Sequence, residues 1–244
     1  MLGRKIIQIE CVDSTNNYVA ILLSEGKIKH GTVILADEQT NGRGQRGASW
    51  DSKAGENLIF SMFIDTAILS VKDQFYLTQI ISLAVVNMLS KFGIEADIKW
   101  PNDIYIKGRK IGGILIENYI KGAFLNGSII GIGLNINQIE FDNLNATSLK
   151  LEKGEFIPIQ STVFSLINEM NNGWEMLSKN QFEKINAFYL DKLWLLNKES
   201  DFIDKSGEFK GCIKGVTTNG LLIMQKEDKL VQYDLKEISF KISK

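Results

Sequence analysis

The sequence has few of the residues on which several common kinds of protein chemistry depend. In 244 residues it contains two cysteines, two prolines and a single histidine, His30. Isolated cysteines such as Cys11 and Cys212 cannot form a disulfide framework or a structural zinc site. One histidine excludes an HExxH zinc site and, without a GxSxG motif, argues against a serine hydrolase triad. His30 lies in a polar stretch, SEGKIKHGT, and is interpreted as a solvated turn residue.

Long apolar runs and an excess of charge of either sign are also missing. No apolar stretch approaches the ~20 residues of a membrane-spanning helix, and the N-terminus lacks the apolar core of a signal peptide. The formal net charge of −1 argues against broad electrostatic binding to nucleic acid or anionic lipid. We therefore expect a cytoplasmic protein that binds neither nucleic acid nor membrane.

The composition is that of an ordinary globular protein, 44% hydrophobic and 23% charged. Apolar residues at helical spacing predict a long helix over residues 71–92 and a helical pair over residues 160–195. Because most of the predicted strands follow one another as hairpins, with the helices grouped between them, we expect an α+β fold with a mixed, largely antiparallel sheet. The predicted strands are residues 5–10, 32–36, 57–64, 97–99, 104–106, 111–117 and 124–137.

The pattern of apolar and polar residues changes after Leu196. Short alternating runs separated by turns such as Thr-Asn-Gly predict a small antiparallel barrel of about 45 residues. We therefore expect two domains, residues 1–196 and residues 197–244, with the boundary near Asn197.

Two polar segments rich in glycine and cations stand out, Ala36–Trp50 (ADEQTNGRGQRGASW) and Lys99–Glu117 (KWPNDIYIKGRKIGGILIE). Glycines let backbone N–H groups approach phosphate oxygens closely, and Arg43 and Arg46 add charge-assisted hydrogen bonds. Trp50 offers a flat face on which a base can stack, worth on the order of 1–3 kcal/mol. From the residues alone, a mobile surface loop with Trp50 packed in the core explains the first segment equally well.

The stretch Gly42–Gly47 (GRGQRG) fits the dinucleotide-binding pattern GxGxxG, and Asp65 stands roughly where a ribose-binding acid is expected. Its context argues against that interpretation. Polar residues separate the predicted strand from Gly42, and no amphipathic helix follows Gly47. A P-loop is excluded because no Gly-Lys-Ser/Thr follows.

The stretch Asp13–Thr15 precedes a run of helical apolar spacing, so we interpret it as a helix N-cap that is also compatible with a ligand site. Four motifs now stand in order: DSTN, EQTNGRGQRGASW, KWPNDIYIKGRKIGGILIE and IGIGLNIN. Together they resemble the biotin protein ligase family over about residues 5–137. The resemblance extends by architecture to the C-terminus, because the family has a class II synthetase-like catalytic domain followed by a small SH3-like barrel.

The resemblance implies an enzyme that joins biotin to ATP, forms biotinyl-5′-AMP and pyrophosphate, and passes biotin to a lysine of a biotin carboxyl carrier domain. Magnesium is expected because ATP phosphates bring it. With 12 residues before Asp13, the chain resembles the monofunctional type without a DNA-binding domain, either monomer or homodimer. A lipoate or octanoate ligase of the same fold and a non-catalytic biotin or nucleotide sensor are the alternatives.

The resemblance also implies roles for individual residues. Lys110 and Arg43 are expected to be catalytic, with Lys110 as the main cation at the phosphoryl group, and Asp103 is the expected magnesium ligand. Expected at biotin are Ser14, Thr15, Asn16, Gln39, Gly42, Arg43, Gly44, Arg46, Lys110, Gly113, Gly131 and Gly133. Expected at ATP or the adenylate are Arg43, Arg46, Trp50, Lys99, Asn102, Lys110 and Asn135.

Two positions depart from the family pattern. Gln45 stands where the family usually has arginine, and Ala48 where it often has another. We hypothesise that without these arginines the enzyme holds biotinyl-5′-AMP less tightly. We also expect the glycine-containing loop to be mobile without ligand and ordered over the adenylate.

Overall fold

The computed structural model of this chain describes residues 1–142 and 145–241, with the backbone but not the side chain of Arg46. The described residues form two β-sheets and five α-helices. In chain order the elements are β1 (Lys5–Val12), α1 (Thr15–Ser24), β2 (Thr32–Gln39), β3 (Leu58–Ile64), α2 (Phe75–Lys91), β4 (Asp97–Lys99), β5 (Asp103–Ile106), β6 (Arg109–Lys121), β7 (Phe124–Leu134), α3 (Leu149–Lys153), α4 (Ile159–Ser178), α5 (Phe182–Asp191), β8 (Glu199–Asp204), β9 (Gly207–Val216), β10 (Leu222–Lys226), β11 (Lys229–Tyr233) and β12 (Ile238–Phe240).

The larger sheet has the strand order β1-β2-β3-β7-β6-β5-β4. Strands β1 and β2 are parallel, and the other pairs are antiparallel. Strand β3 is buried at every position, as expected of a strand whose two faces are both covered. On one face α1 packs through Val19 and Leu22 against Ile34 and Phe63, while α2 and α4 belong to the main core. The predicted α+β fold with a mixed, largely antiparallel sheet is confirmed.

The long helix begins later than its apolar spacing predicts. A short 3-10 turn occupies Val71–Asp73, and α2 runs from Phe75 to Lys91. Gly93, with φ of 76°, follows the end of the helix in a conformation that glycine adopts without strain. The short helix α3 was not predicted, because five residues are too few to reveal a helical period.

The smaller sheet is antiparallel and has the strand order β11-β10-β9-β8-β12. It docks on the start of the KWPND segment, where Trp100 Nε1 donates to the carbonyl oxygen of Gly220 at 2.9 Å and Lys99 Nζ lies 5.0 Å from the ring centroid of Phe240. The predicted antiparallel C-terminal unit is therefore present. Among the described residues, β11 and β12 are the two edge strands of its sheet. The domain boundary near Asn197 stays a prediction.

His30 lies in a turn, as predicted, but it is only partly solvated. Its ring is partly buried, 5.5 Å from that of Trp174, and its Nδ1 accepts a hydrogen bond from the Asp65 N–H at 3.2 Å. Burial lowers the pKa of His30 below its ordinary value. Within residues 1–142 and 145–241, no helix is long and apolar enough to cross a membrane.

Candidate active site

A cavity of about 240 Å³ opens where the start of α1, the end of β2, the first half of β6 and the end of β7 meet. It brings together residues from all four motifs, which are far apart in the sequence. Of the residues expected at the site, the cavity is lined by Ser14, Thr15, Asn16, Gln39, Arg43, Gly44, Trp50, Asn102, Asp103, Lys110, Gly113, Gly131 and Gly133. Gln45 and Ala48, the two departures from the family pattern, also line it.

Uncharged hydrogen-bonding groups form a network along one wall of the cavity. The Gln39 Oε1 accepts hydrogen bonds from the Thr15 backbone N–H at 2.8 Å and from its hydroxyl at 3.0 Å. Ser61 Oγ, fully buried in β3, lies 2.7 Å from Thr15 Oγ1 and 2.6 Å from Asn16 Oδ1. Such a set can both donate to and accept from a neutral polar ligand. Ser61 was not predicted, because its motif NLIFSMFI reads only as a buried strand.

Ser14 occupies the N-cap position of α1 with extended backbone, yet its hydroxyl makes no capping hydrogen bond within the described residues. The predicted side-chain cap is therefore wrong, although the helix does begin there. Ser14 is buried at the wall of the cavity.

The glycines of β7 make room for protein side chains as well as for a ligand. A Cβ on Gly131 would lie 2.6 Å from Asn16 Oδ1, and a Cβ on Gly133 would lie 2.3 Å from Trp50 Cε2. Gly113 is different, because a Cβ there would meet its nearest neighbour, Lys110 Nζ, at 3.5 Å. Gly131 and Gly133 thus position Asn16 and Trp50, and Gly113 keeps the floor of the cavity open.

The glycine-containing segment forms a closed hairpin rather than an extended loop. The Trp50 N–H donates to Gly42 O at 2.9 Å, and the Gly44 N–H donates to Ala48 O at 2.6 Å. Strand β2 continues to Gln39, so the strand runs closer to Gly42 than predicted. The dinucleotide interpretation is still excluded, because a three-residue 3-10 turn at Gln45–Gly47 follows the first glycines instead of an α-helix.

Lys110 lines the cavity beside Asp103 and Trp50. Its Nζ is 2.7 Å from Asp103 Oδ1 and 5.8 Å from the ring centroid of Trp50. Asn102 holds the neighbouring turn, since its Nδ2 donates to Ile114 O at 2.6 Å. The cavity therefore places a cation, its counter-ion and an aromatic face beside one another.

Three of the expected residues, Lys99, Asn135 and Gly42, do not line the cavity, and a fourth, Arg46, has no described side chain. Lys99 lies over the rings of Tyr105 and Phe240, where burial lowers its pKa. Asn135 is buried and donates to Thr147 O at 3.0 Å. Gly42 packs against Trp50, where a Cβ would lie 2.2 Å from the Trp50 carbonyl oxygen. The side chain of Arg46 lies outside the described residues.

Arg43 binds a carboxylate that was not predicted as part of the site. Its Nη2 lies 2.9 Å from both oxygens of Glu117, and Asn16 Nδ2 donates to the same carboxylate at 2.7 Å. Leu235 and Lys236, in the turn between β11 and β12, also line the cavity. No local pattern could have revealed these contributions, because they depend on how distant segments pack.

The carboxylates of the site do not resemble a resident metal centre. In the described part of the chain, no group of three aspartate, glutamate, cysteine or histidine residues could hold a metal ion. Asp103 stands beside Lys110 and Lys99, at 2.7 Å and 3.8 Å. A single carboxylate of this kind fits a magnesium ion that arrives with nucleotide phosphates.

Comparisons with known proteins agree with this geometry. A model of the biotin/lipoate A/B protein ligase family matches residues 8–135, just over half of the chain. The bifunctional ligase/repressor BirA of Bacillus spizizenii is 29% identical over 234 residues, which cover 93% of this chain and 71% of that protein. A biotin–[acetyl-CoA-carboxylase] ligase of Mycobacterium tuberculosis is 30% identical over 173 residues, covering 68% of this chain and 63% of that protein.

Among solved structures, the biotin protein ligase from Aquifex aeolicus in complex with biotin and ATP superposes with a TM-score of 0.82 at 25% identity. The superposition covers 99% of this chain and all of that one. The match therefore includes the smaller sheet, which the family model does not reach. This chain belongs to the biotin/lipoate A/B protein ligase family.

Proposed function

We propose that this enzyme is a biotin protein ligase, which activates biotin with ATP and transfers it to a lysine of a biotin carboxyl carrier domain. The observation that supports this most directly is the division of the cavity. Uncharged donors and acceptors line one part of the cavity, and the Lys110 ammonium lines another. Biotin has the same division, with a neutral ureido ring at one end and a carboxylate at the other.

The polar end distinguishes biotin from lipoate. A ureido group donates two hydrogen bonds and accepts others, so the amide of Gln39 and the hydroxyls of Ser14 and Thr15 suit it. The dithiolane ring of lipoate has no comparable donors or acceptors. Its binding would therefore forgo the hydrogen bonds that biotin makes there, a loss of about 0.5–1.5 kcal/mol for each bond.

Lys110 would act on the first step. A biotin carboxylate oxygen attacks the α-phosphorus of ATP, the bond from that phosphorus to the bridging oxygen breaks, and pyrophosphate leaves. Two anions approach each other, and charge builds on the phosphoryl oxygens. A fixed ammonium relieves the repulsion and stabilises that charge. Magnesium enters as part of the ATP substrate, with Asp103 as the proposed carboxylate.

The second step needs no protein nucleophile. The ε-amine of the carrier lysine attacks the activated carbonyl carbon, an amide bond forms, AMP leaves, and the amine loses a proton. Trp50 is proposed to lie against the adenine, and Arg43 and Arg46 to contribute to adenylate binding. Because the reaction consumes ATP, the proposal assigns the enzyme to the cytoplasm.

Biotin-dependent exchange of radiolabelled pyrophosphate into ATP tests the first step. We expect exchange with biotin but not with lipoate or octanoate, and loss of at least 100-fold in Lys110→Ala. Lys107→Ala, which removes an exposed lysine of the same β5–β6 hairpin, is the matched control. Exchange with lipoate alone would instead identify a lipoate ligase, and biotin binding without any exchange would identify a sensor.

A further inference from the structure

Glu117 lies on β6 beside the cavity and joins two parts of the site. Its carboxylate accepts hydrogen bonds from Asn16 Nδ2 at 2.7 Å and from Arg43 Nη2, which is 2.9 Å from both oxygens. Asn16 belongs to the wall of the cavity, and Arg43 belongs to the hairpin above it. Glu117 therefore has one partner on the scaffold and one on the loop.

The partner on the scaffold is held rigidly. Asn16 is buried, its Oδ1 lies 2.6 Å from Ser61 Oγ, and it fits against the open face of Gly131. With Oδ1 facing the serine hydroxyl, the amide NH₂ group faces Glu117. The Ser61–Asn16 pair thus fixes the orientation of the Glu117 carboxylate.

The partner on the loop is held by Glu117. The hairpin is closed by backbone hydrogen bonds between Gly42 and Trp50 and between Gly44 and Ala48, so its two arms are held together. The Arg43 side chain connects the hairpin to β6. Both members of the pair are more than a third exposed, at 38% and 37%, so the contact is weak enough for the loop to open.

We propose that Glu117 is a positioning residue that couples the biotin end of the cavity to the loop, through Asn16 on one side and Arg43 on the other. A ligand that touches Asn16 changes how firmly Glu117 holds Arg43, and hence how far the hairpin closes over the ligand. This inference rests on the proposed function for the identity of the ligand. The contact itself does not depend on it.

Amide hydrogen exchange of residues 42–50, with and without biotin, tests the coupling in the wild-type chain, Glu117→Gln, Arg43→Gln and the double variant. In Glu117→Gln we expect exchange of the loop amides without ligand to rise about 2- to 5-fold, the effect of weakening one partly exposed ion pair. The KM for biotin should rise by a similar factor with a smaller change in kcat. The double variant should show the same loop exchange and the same KM for biotin as Arg43→Gln, because Glu117 acts through Arg43.

Glu56→Gln is the matched control, since Glu56 forms a partly exposed ion pair with Lys53 just beyond the loop. It should leave exchange of residues 42–50 and the KM for biotin unchanged. Additive effects of the two single variants, or unchanged loop exchange in Glu117→Gln, would overturn the proposal. Absence of any biotin effect in the wild-type chain would count against the proposed function instead, so the two failures are distinguishable.

Discussion

Lys110 Nζ lies 2.7 Å from Asp103 Oδ1, across the pairing of β5 with β6. The two strands shift register between Ile104 and Tyr105, and irregularities of this kind re-aim neighbouring side chains. Asp103 thus holds the Lys110 ammonium, which we propose stabilises charge on the phosphoryl oxygens. The spacing of the two residues in the sequence gives no sign of this contact.

We expect Asp103→Asn to lower the kcat of pyrophosphate exchange by about 100-fold, because a misplaced ammonium no longer meets the developing charge. The KM for biotin should change little, since Asp103 pairs with Lys110 and Lys99 and not with the Gln39–Thr15–Ser61 network. Steady-state exchange kinetics measure both values. Asp191→Asn, at an exposed aspartate of α5, should leave both unchanged. An unaltered kcat in Asp103→Asn would show that Lys110 needs no such support.

Ser61→Ala should raise the KM for biotin about 10-fold, because loss of one buried hydrogen bond costs about 1–2 kcal/mol and Asn16 loses its partner. Ser128→Ala is a close control. Ser128 is equally buried on the neighbouring strand β7, but its hydroxyl bonds to Asn118 and Thr66, away from the cavity. Both variants should lose stability in urea unfolding, whereas the KM should rise in Ser61→Ala alone. An equal change in KM would contradict a role at the site.

Gly133→Ala should raise the KM for ATP at least 10-fold, because the new methyl group would lie 2.3 Å from Trp50 Cε2 and displace the ring. Gly127→Ala introduces a similar clash on the same strand, where a Cβ would lie 2.7 Å from Phe63 Cε2. That control should lower the melting temperature and leave the KM for ATP unchanged. A Gly133→Ala enzyme with normal ATP kinetics would remove Trp50 from the proposed adenine site.

Stability should fall as the pH falls through the ordinary pKa of His30. Burial lowers the pKa of His30 from 6.5, so below that pH the unfolded chain binds a proton that the folded chain resists. The loss begins near the unfolded pKa and is complete below the folded one. Urea unfolding between about pH 7.5 and pH 6 measures it, above the range in which carboxylates titrate.

His30→Asn supplies the control for this dependence. The asparagine Oδ1 can replace Nδ1 as the acceptor of the Asp65 N–H, and it does not titrate. Stability of this variant should be nearly independent of pH over the same interval. The same slope in both proteins would assign the effect to groups other than His30.

Gln45→Arg should strengthen retention of the adenylate, since Gln45 lines the cavity and a guanidinium adds charge-assisted hydrogen bonds to phosphate oxygens. We expect biotin labelling of an added bystander protein to fall about 10-fold, because less biotinyl-5′-AMP escapes. Gln45→Met, of similar length and without charge, should label the bystander at least as strongly as the unaltered enzyme. Equal labelling by all three would refute the hypothesis of weak retention.

The sequence by itself determined the family and the segments that build the site. Motif order and spacing identified the loop and the KWPND segment, and Lys110, Gln39 and Thr15 line the cavity as expected. Periodicity located most strands and helices, because alternation and helical spacing are local properties.

Tertiary structure decided which of those residues face the cavity and what supports them. Lys99 packs over the rings of Tyr105 and Phe240 because the smaller sheet docks on the KWPND segment. Ser61 and Glu117 joined the site through contacts with residues 45 and 101 positions away along the chain. Such contacts depend on the register of neighbouring strands and the packing of helices upon them, which no local pattern of residues records.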